Sequence, residues 1–197
     1  DEANICFMFA PVYHEAMKYA GPVRKAMGVR TVFNILGPLA NPAGATVELM
    51  GVYDRSLVEP LAQVLSNLGV HRGAVVYGSD GLDEITATGT TIVCEINHGT
   101  FKTYELDPKD YGFTYATADE LVGGDAQVNA EITHTLLEGK DRSSRATAVI
   151  LNAGMAYYLA KEGEVTLENA FKTVQELLYS GAGSKALSKF VKASQNA

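Results

Sequence analysis

Gly73-Ala74-Val75-Val76-Tyr77 runs directly into Gly78-Ser79-Asp80-Gly81-Leu82-Asp83-Glu84-Ile85-Thr86-Ala87-Thr88-Gly89. The first five residues form an apolar run of the length and composition of a buried strand. The polar, glycine-punctuated stretch after it predicts a loop at the strand's carboxyl end. In open α/β sheets, ligands gather beyond those ends. The adjacent carboxylates Asp83 and Glu84 allow two readings there. They suit first a solvated acidic turn, and they also suit a hard cation, because Mg2+ takes one or two carboxylates and completes its shell with water and phosphate oxygens. Spacing alone leaves both open. The loop is not a Walker-type phosphate loop, whose second glycine must be followed by Lys and Ser or Thr.

Upstream, residues 46–53 (TVELMGVY) suit a strand. Ser56 and Glu59 have the spacing of a capping box opening a helix. Leu57, Leu61, Val64, Leu65 and Leu68 would form its apolar stripe, and Gly69 its stop. Downstream, TTIVCEI and TFKTYEL flank Asn97-His98-Gly99 and predict a hairpin. Thr117 and Glu120 repeat the capping-box spacing, and helices are expected over 125–138, 144–161, 166–179 and 183–192. Strand, helix, strand, hairpin, then helices predicts an α/β domain whose strands run in mixed directions.

Towards the start, Ala16, Met17, Ala20, Val23 and Met27 recur at helical spacing over 12–27, with a break at Pro22 and a stop at Gly28. Gly37-Pro38 and Asn41-Pro42 predict a loop through FNILGPLANP. Arg24 allows two readings: with Lys25 it can solvate a helix face, or its planar fork can grip a carboxylate. His14, one turn from Met17, suits hydrogen bonding or packing before catalysis. Met50, Met155 and Tyr157-Tyr158 are expected in the core. His71, His98 and His134 have no ligand spacing.

The formal charge of −7, with both signs interspersed, opposes binding to a nucleic-acid backbone. Cys6 and Cys94 lack metal-ligand spacing and read as free thiols of a reducing, cytoplasmic setting. No apolar run reaches the roughly 20 residues that span a bilayer. The first residues, Asp1-Glu2-Ala3-Asn4, are no signal peptide, and without an initiator Met the chain is expected to begin mid-protein.

The wording FAPVYHEAMKYAGPVRKAMGVRTVFNILGPLANPA, then YGSDGLDEITATGTT, Gly123-Gly124-Asp125-Ala126 and Ile150-Leu151-Asn152-Ala153-Gly154, resembles the anthranilate phosphoribosyltransferase family in order along nearly the whole chain. The resemblance implies the α/β large domain of the nucleoside phosphorylase/phosphoribosyltransferase fold, a mixed sheet flanked by helices and truncated at its N-terminus. Residues 1–30 would belong to the small helical domain and 31–197 to the glycosyltransferase domain, with a hinge near Arg30–Asn34. It implies transfer of a phosphoribosyl group from phosphoribosyl diphosphate to anthranilate, with Mg2+, in a cytoplasmic homodimer. Arg24 falls on the family's anthranilate-binding arginine, His14 and Met17 on its anthranilate path, and Asp83 and Glu84 on its magnesium carboxylates. No acid or base catalyst is assigned.

The departures are specific. The family's GTGGDG and KHGN segments do not occur in these 197 residues, so the fragment alone is expected to be inactive. Glu15 replaces a common proline, Tyr77-Gly78-Ser79 stands where His-Gly is usual, and Arg145-Ala146-Thr147 replaces an Arg-Asp pair. A pyrimidine nucleoside phosphorylase and a non-catalytic nucleic-acid-binding relative are the alternatives. The HEAMKYAGPVR and DGLDE wording favours the transferase, and the acidic charge opposes the second.

Overall fold

The computed structural model describes residues 2–13 and 33–195. Four strands form one sheet in the order β1-β2-β3-β4: β1 Val47–Gly51, β2 Arg72–Gly78, β3 Thr91–Asn97 and β4 Thr100–Leu106. β1 and β2 are parallel, whereas β2–β3 and β3–β4 are antiparallel, so the expected mixed sheet is present. The hairpin turns through His98 and Gly99, both at positive φ (47° and 80°), between the paired residues Asn97 and Thr100. Two left-handed residues in succession match the right-handed twist of the flanking strands.

Alternation along β2 separates two cores. Val75 faces Met50, Val58, Leu61, Leu65, Cys94 and Ile96. On the other face Ala74 and Val76 meet Ile85, Ile150, Leu151, Met155 and Phe171. Burial of both faces explains why residues 73–77 carry no solvent-facing polar position.

The helices, numbered in order among the described residues, are α1 Ala10–Tyr13, α2 Phe33–Leu39, α3 Val58–Asn67, α4 Ala118–Leu121, α5 Ala126–Leu137, α6 Ser144–Ala160, α7 Leu167–Tyr179 and α8 Ala182–Ser194. Asp125, Ser143 and Thr166 open α5, α6 and α7, each side chain accepting a main-chain N–H from the first turn. The Thr117–Glu120 capping box is formed, the Thr117 N–H donating to Glu120 Oε2 at 2.7 Å. Gly154 lets α6 and α7 close together, since a Cβ there would overlap the Phe171 ring. Met50 and Met155 are buried as expected, while Tyr158 is only partly covered and donates its hydroxyl to Glu95.

Two expectations are corrected, beside the stripe of α3, which buries Val58, Leu61, Ala62 and Leu65 and leaves Val64 and Leu68 exposed. Phe33–Leu39, expected to be loop, is helical with Pro38 inside it. Pro38 forgoes one helical hydrogen bond, and the helix still closes behind it, with Ala40 N–H reaching Leu36 O at 2.9 Å. The loop begins at Ala40, with Asn41 Oδ1 accepting Ala43 N–H. The second correction concerns Ser56 and Glu59. Asp54 is the cap: its Oδ1 accepts both the N–H and the hydroxyl of Ser56, a 3-10 turn follows, and α3 starts at Val58. Glu59 instead accepts the Thr103 hydroxyl of β4 at 2.8 Å.

The helices expected over 12–27 lie outside the described residues, apart from the turn Ala10–Tyr13, and so does the boundary expected at 30/31. Cys6 and Cys94 are free thiols, the first exposed and the second buried. No helix among the described residues is long and apolar enough to cross a membrane.

Candidate functional site

The acidic loop leaves the carboxyl end of β2 and returns to β3 at Thr91. Its organising residue is Asp80. Asp80 Oδ2 accepts the hydroxyls of Thr86 and Thr88, the latter at 2.7 Å, and Oδ1 accepts the Leu82 N–H at 3.1 Å. The main chain closes the same turn, with Gly78 N–H donating to Leu82 O and Gly81 N–H to Gly78 O. Burial acts to raise the Asp80 carboxyl pKa. The donated bonds from Thr86, Thr88 and Leu82 outweigh it and hold the value below the usual carboxylate range.

Asp83 and Glu84 are exposed at the outer side of this turn, beside the half-exposed Leu82. No ion pair to either is formed among the described residues. Partial burial, then the charges of Asp83 and Asp80, push the Glu84 carboxyl above its ordinary pKa. The turn thus carries three carboxylates, of which Asp80 is engaged by its own donors, while Asp83 and Glu84 have no cationic partner among the described residues.

No group of three or more His, Cys, Asp or Glu among the described residues is arranged to hold a metal. The couplet alone would therefore offer only part of a metal's shell. That fits Mg2+, which is usually held by one or two carboxylates, waters and substrate phosphates.

Two supports of this loop escaped sequence reasoning. Gly51, at the end of β1, lies against the Asp83 carbonyl, where any Cβ would overlap it. Asn152 on α6 binds the main chain of Ile85. Asp80 was visible in the quoted loop without an assigned role; an Asp followed by Gly and two threonines was the available signal. Arg24, His14 and Met17 lie outside the described residues.

Residues 1–184 match the family model described as "Glycosyl transferase family, a/b domain". The chain belongs to that family. It is 49% identical over 193 residues to the anthranilate phosphoribosyltransferase of Ruminiclostridium cellulolyticum, a match covering 98% of this chain and 56% of the relative. The crystal structure of anthranilate phosphoribosyltransferase from Thermus thermophilus superposes with a TM-score of 0.89 at 39% identity, covering 97% of this chain and 56% of that one. The Saccharomyces cerevisiae enzyme in complex with PRPP and Mg gives a TM-score of 0.84 at 25% identity, covering 93% of this chain and 53% of that one. The chain thus spans about half the length of the curated relatives it matches. Its mixed sheet with flanking helices agrees with the fold implied by the resemblance.

Proposed function

We propose that the whole protein transfers the phosphoribosyl group of phosphoribosyl diphosphate to the amine of anthranilate, giving N-(5-phosphoribosyl)anthranilate and diphosphate. The observation that carries this reading is the exposed couplet Asp83-Glu84, free of protein cations among the described residues, in a chain 49% identical to an anthranilate phosphoribosyltransferase. The yeast structure in complex with PRPP and Mg supports the same choice of substrate and ion.

Breaking the bond at C1 builds positive charge on the ribose and negative charge on the departing diphosphate, so the demand on the protein is electrostatic and positional. Asp83 and Glu84 would hold Mg2+. When bound, the ion supplies positive charge to the leaving group. Arg24 would grip the anthranilate carboxylate through its planar fork and turn the amine towards C1. His14 and Met17 would line the path of the aromatic acid. An aniline-type amine is neutral near pH 7, so its lone pair needs no strong base. A cytoplasmic homodimer is proposed with this reading.

The test follows the loss of anthranilate fluorescence with phosphoribosyl diphosphate and Mg2+ present. Turnover that disappears on Mg2+ chelation, and an anthranilate KM raised at least tenfold by Arg24→Ala, are expected of the whole protein. No turnover in a folded sample would overturn the activity, and an unchanged KM would remove the role of Arg24.

A further inference from the structure

The Ile150-Leu151-Asn152-Ala153-Gly154 segment carries part of the family resemblance, yet none of its residues belongs to the substrate or cation set above. Four of the five have plain packing or surface positions: Ile150, Leu151 and Gly154 are buried, and Ala153 is exposed. Asn152 is different. Its Oδ1 accepts the Ile85 N–H at 2.9 Å, and its Nδ2 donates to the Ile85 carbonyl at 2.8 Å. The same Nδ2 donates to Ala148 O, one turn back on α6, at 3.0 Å, which anchors the side chain to its own helix.

We propose that Asn152 is a positioning residue for the cation site, holding the Asp83-Glu84 couplet in place by binding both main-chain groups of the residue that follows it. This rests on the reading of Asp83 and Glu84 as cation ligands.

The couplet is strung between two residues whose main chains are tied on both sides. Before it, Leu82 donates its N–H to Asp80 and accepts the Gly78 N–H on its carbonyl. After it, Ile85 donates to and accepts from the one amide of Asn152. The first anchor is local to the turn. The second reaches 67 residues along the chain and makes the loop ride on α6. Ile85 is only 1% exposed, so water cannot readily replace Asn152 as a partner. An amide is the side chain that can accept and donate side by side at this length. Asn152→Asp would remove the donor, Asn152→Leu would remove both groups, and Asn152→Gln would add one methylene too many. Among the described residues no third metal-ligating side chain joins the couplet, so a displaced loop would carry both carboxylates away together.

The experiment titrates Mn2+, standing in for Mg2+, into the whole protein with inorganic diphosphate present, reading free Mn2+ by electron paramagnetic resonance. Wild type, an Asp83→Ala/Glu84→Ala double variant, Asn152→Ala and Asn152→Asp are compared. Leu65→Val, in the core on the other face of the sheet, serves as a variant that loses packing away from the loop. We expect the Mn2+ Kd to rise about 10-fold or more in both Asn152 variants, the range seen when groups orienting metal ligands are removed, and to stay put in Leu65→Val. The metal concentration for half-maximal activity should rise in parallel while kcat at saturating metal stays near wild type. A wild-type Kd in folded Asn152→Ala would overturn the role of Asn152. Should Asn152→Ala fail to fold, Asn152→Asp decides, since it keeps the acceptor for the Ile85 N–H. Wild type that binds Mn2+ no better than the double carboxylate variant would instead overturn the cation reading, and this inference with it.

Discussion

Gly51 closes β1 directly against the main-chain carbonyl of Asp83. The strand end and the acidic loop touch backbone to backbone, so the position of the couplet is referred to the sheet and not merely to its own turn. The neighbouring β2 strand passes Gly51 in register at Val76, two residues before the strand ends.

Gly51→Ala should therefore displace residues 82–84, because the obstacle is main chain and cannot swing aside. Overpacking of this kind costs about 1–3 kcal/mol. Urea unfolding should show that loss, and Mn2+ binding should weaken beyond what a core variant of equal stability shows. A variant with unaltered unfolding midpoint and unaltered Mn2+ binding would contradict the close approach.

Asp80 sets a pH dependence of stability. Its folded-state pKa lies below the ordinary value, so the unfolded chain takes up the proton more readily than the folded one. The stabilisation is present above the unfolded value of about 3.9 and is lost as pH falls through the lower folded value. Asp80→Asn should accordingly be less stable than wild type near neutrality, with the gap closing in acid below about pH 4. Chemical denaturation from acid to neutral pH measures this, and a gap that widened in acid would reverse the sign argued here.

A third prediction concerns the ion pair under β2 and β3. Arg72 Nη1 lies 2.6 Å from Glu95 Oε1, with the Arg72 side chain 4% exposed, and Glu95 also accepts the hydroxyls of Tyr104 and Tyr158. Burial opposes the Arg72 charge, but Glu95 outweighs it and raises the pKa. Removing one partner of a buried pair leaves an uncompensated charge and costs about 3–5 kcal/mol. Arg72→Met should lose stability on that scale, and adding Glu95→Gln should restore part of it, since the amide oxygen still accepts one tyrosine hydroxyl and the amide NH2 can donate to the other. Additive losses in the double variant, read by urea unfolding, would show that the charges do not act as a pair.

The hairpin through His98-Gly99 and the helices α5 to α8 were legible because their signals are local: a two-residue turn, side chains that cap a helix three residues on, and apolar residues at helical spacing. The same locality explains the misses. A proline reads as a breaker, yet Pro38 lies inside α2, one residue before its end. Ser56 and Glu59 have capping-box spacing, but Asp54 reaches the Ser56 N–H first. Of the candidate site, Asp83 and Glu84 were legible as a couplet beyond a buried strand, whereas the residues expected between 14 and 24 lie outside the described part of the chain.

By itself the sequence determined the α/β class, the strand that leads into the acidic turn, and the carboxylates exposed on it. These follow from run length, periodicity and adjacent residues, all of which act over a few positions. Only the tertiary structure decided what holds that turn. Gly51 and Asn152 act on Asp83 and Ile85 from far along the chain, 67 positions in the second case, one through a missing side chain and the other through a single amide. Such contacts depend on where chain folding brings distant segments together, and no local pattern records them.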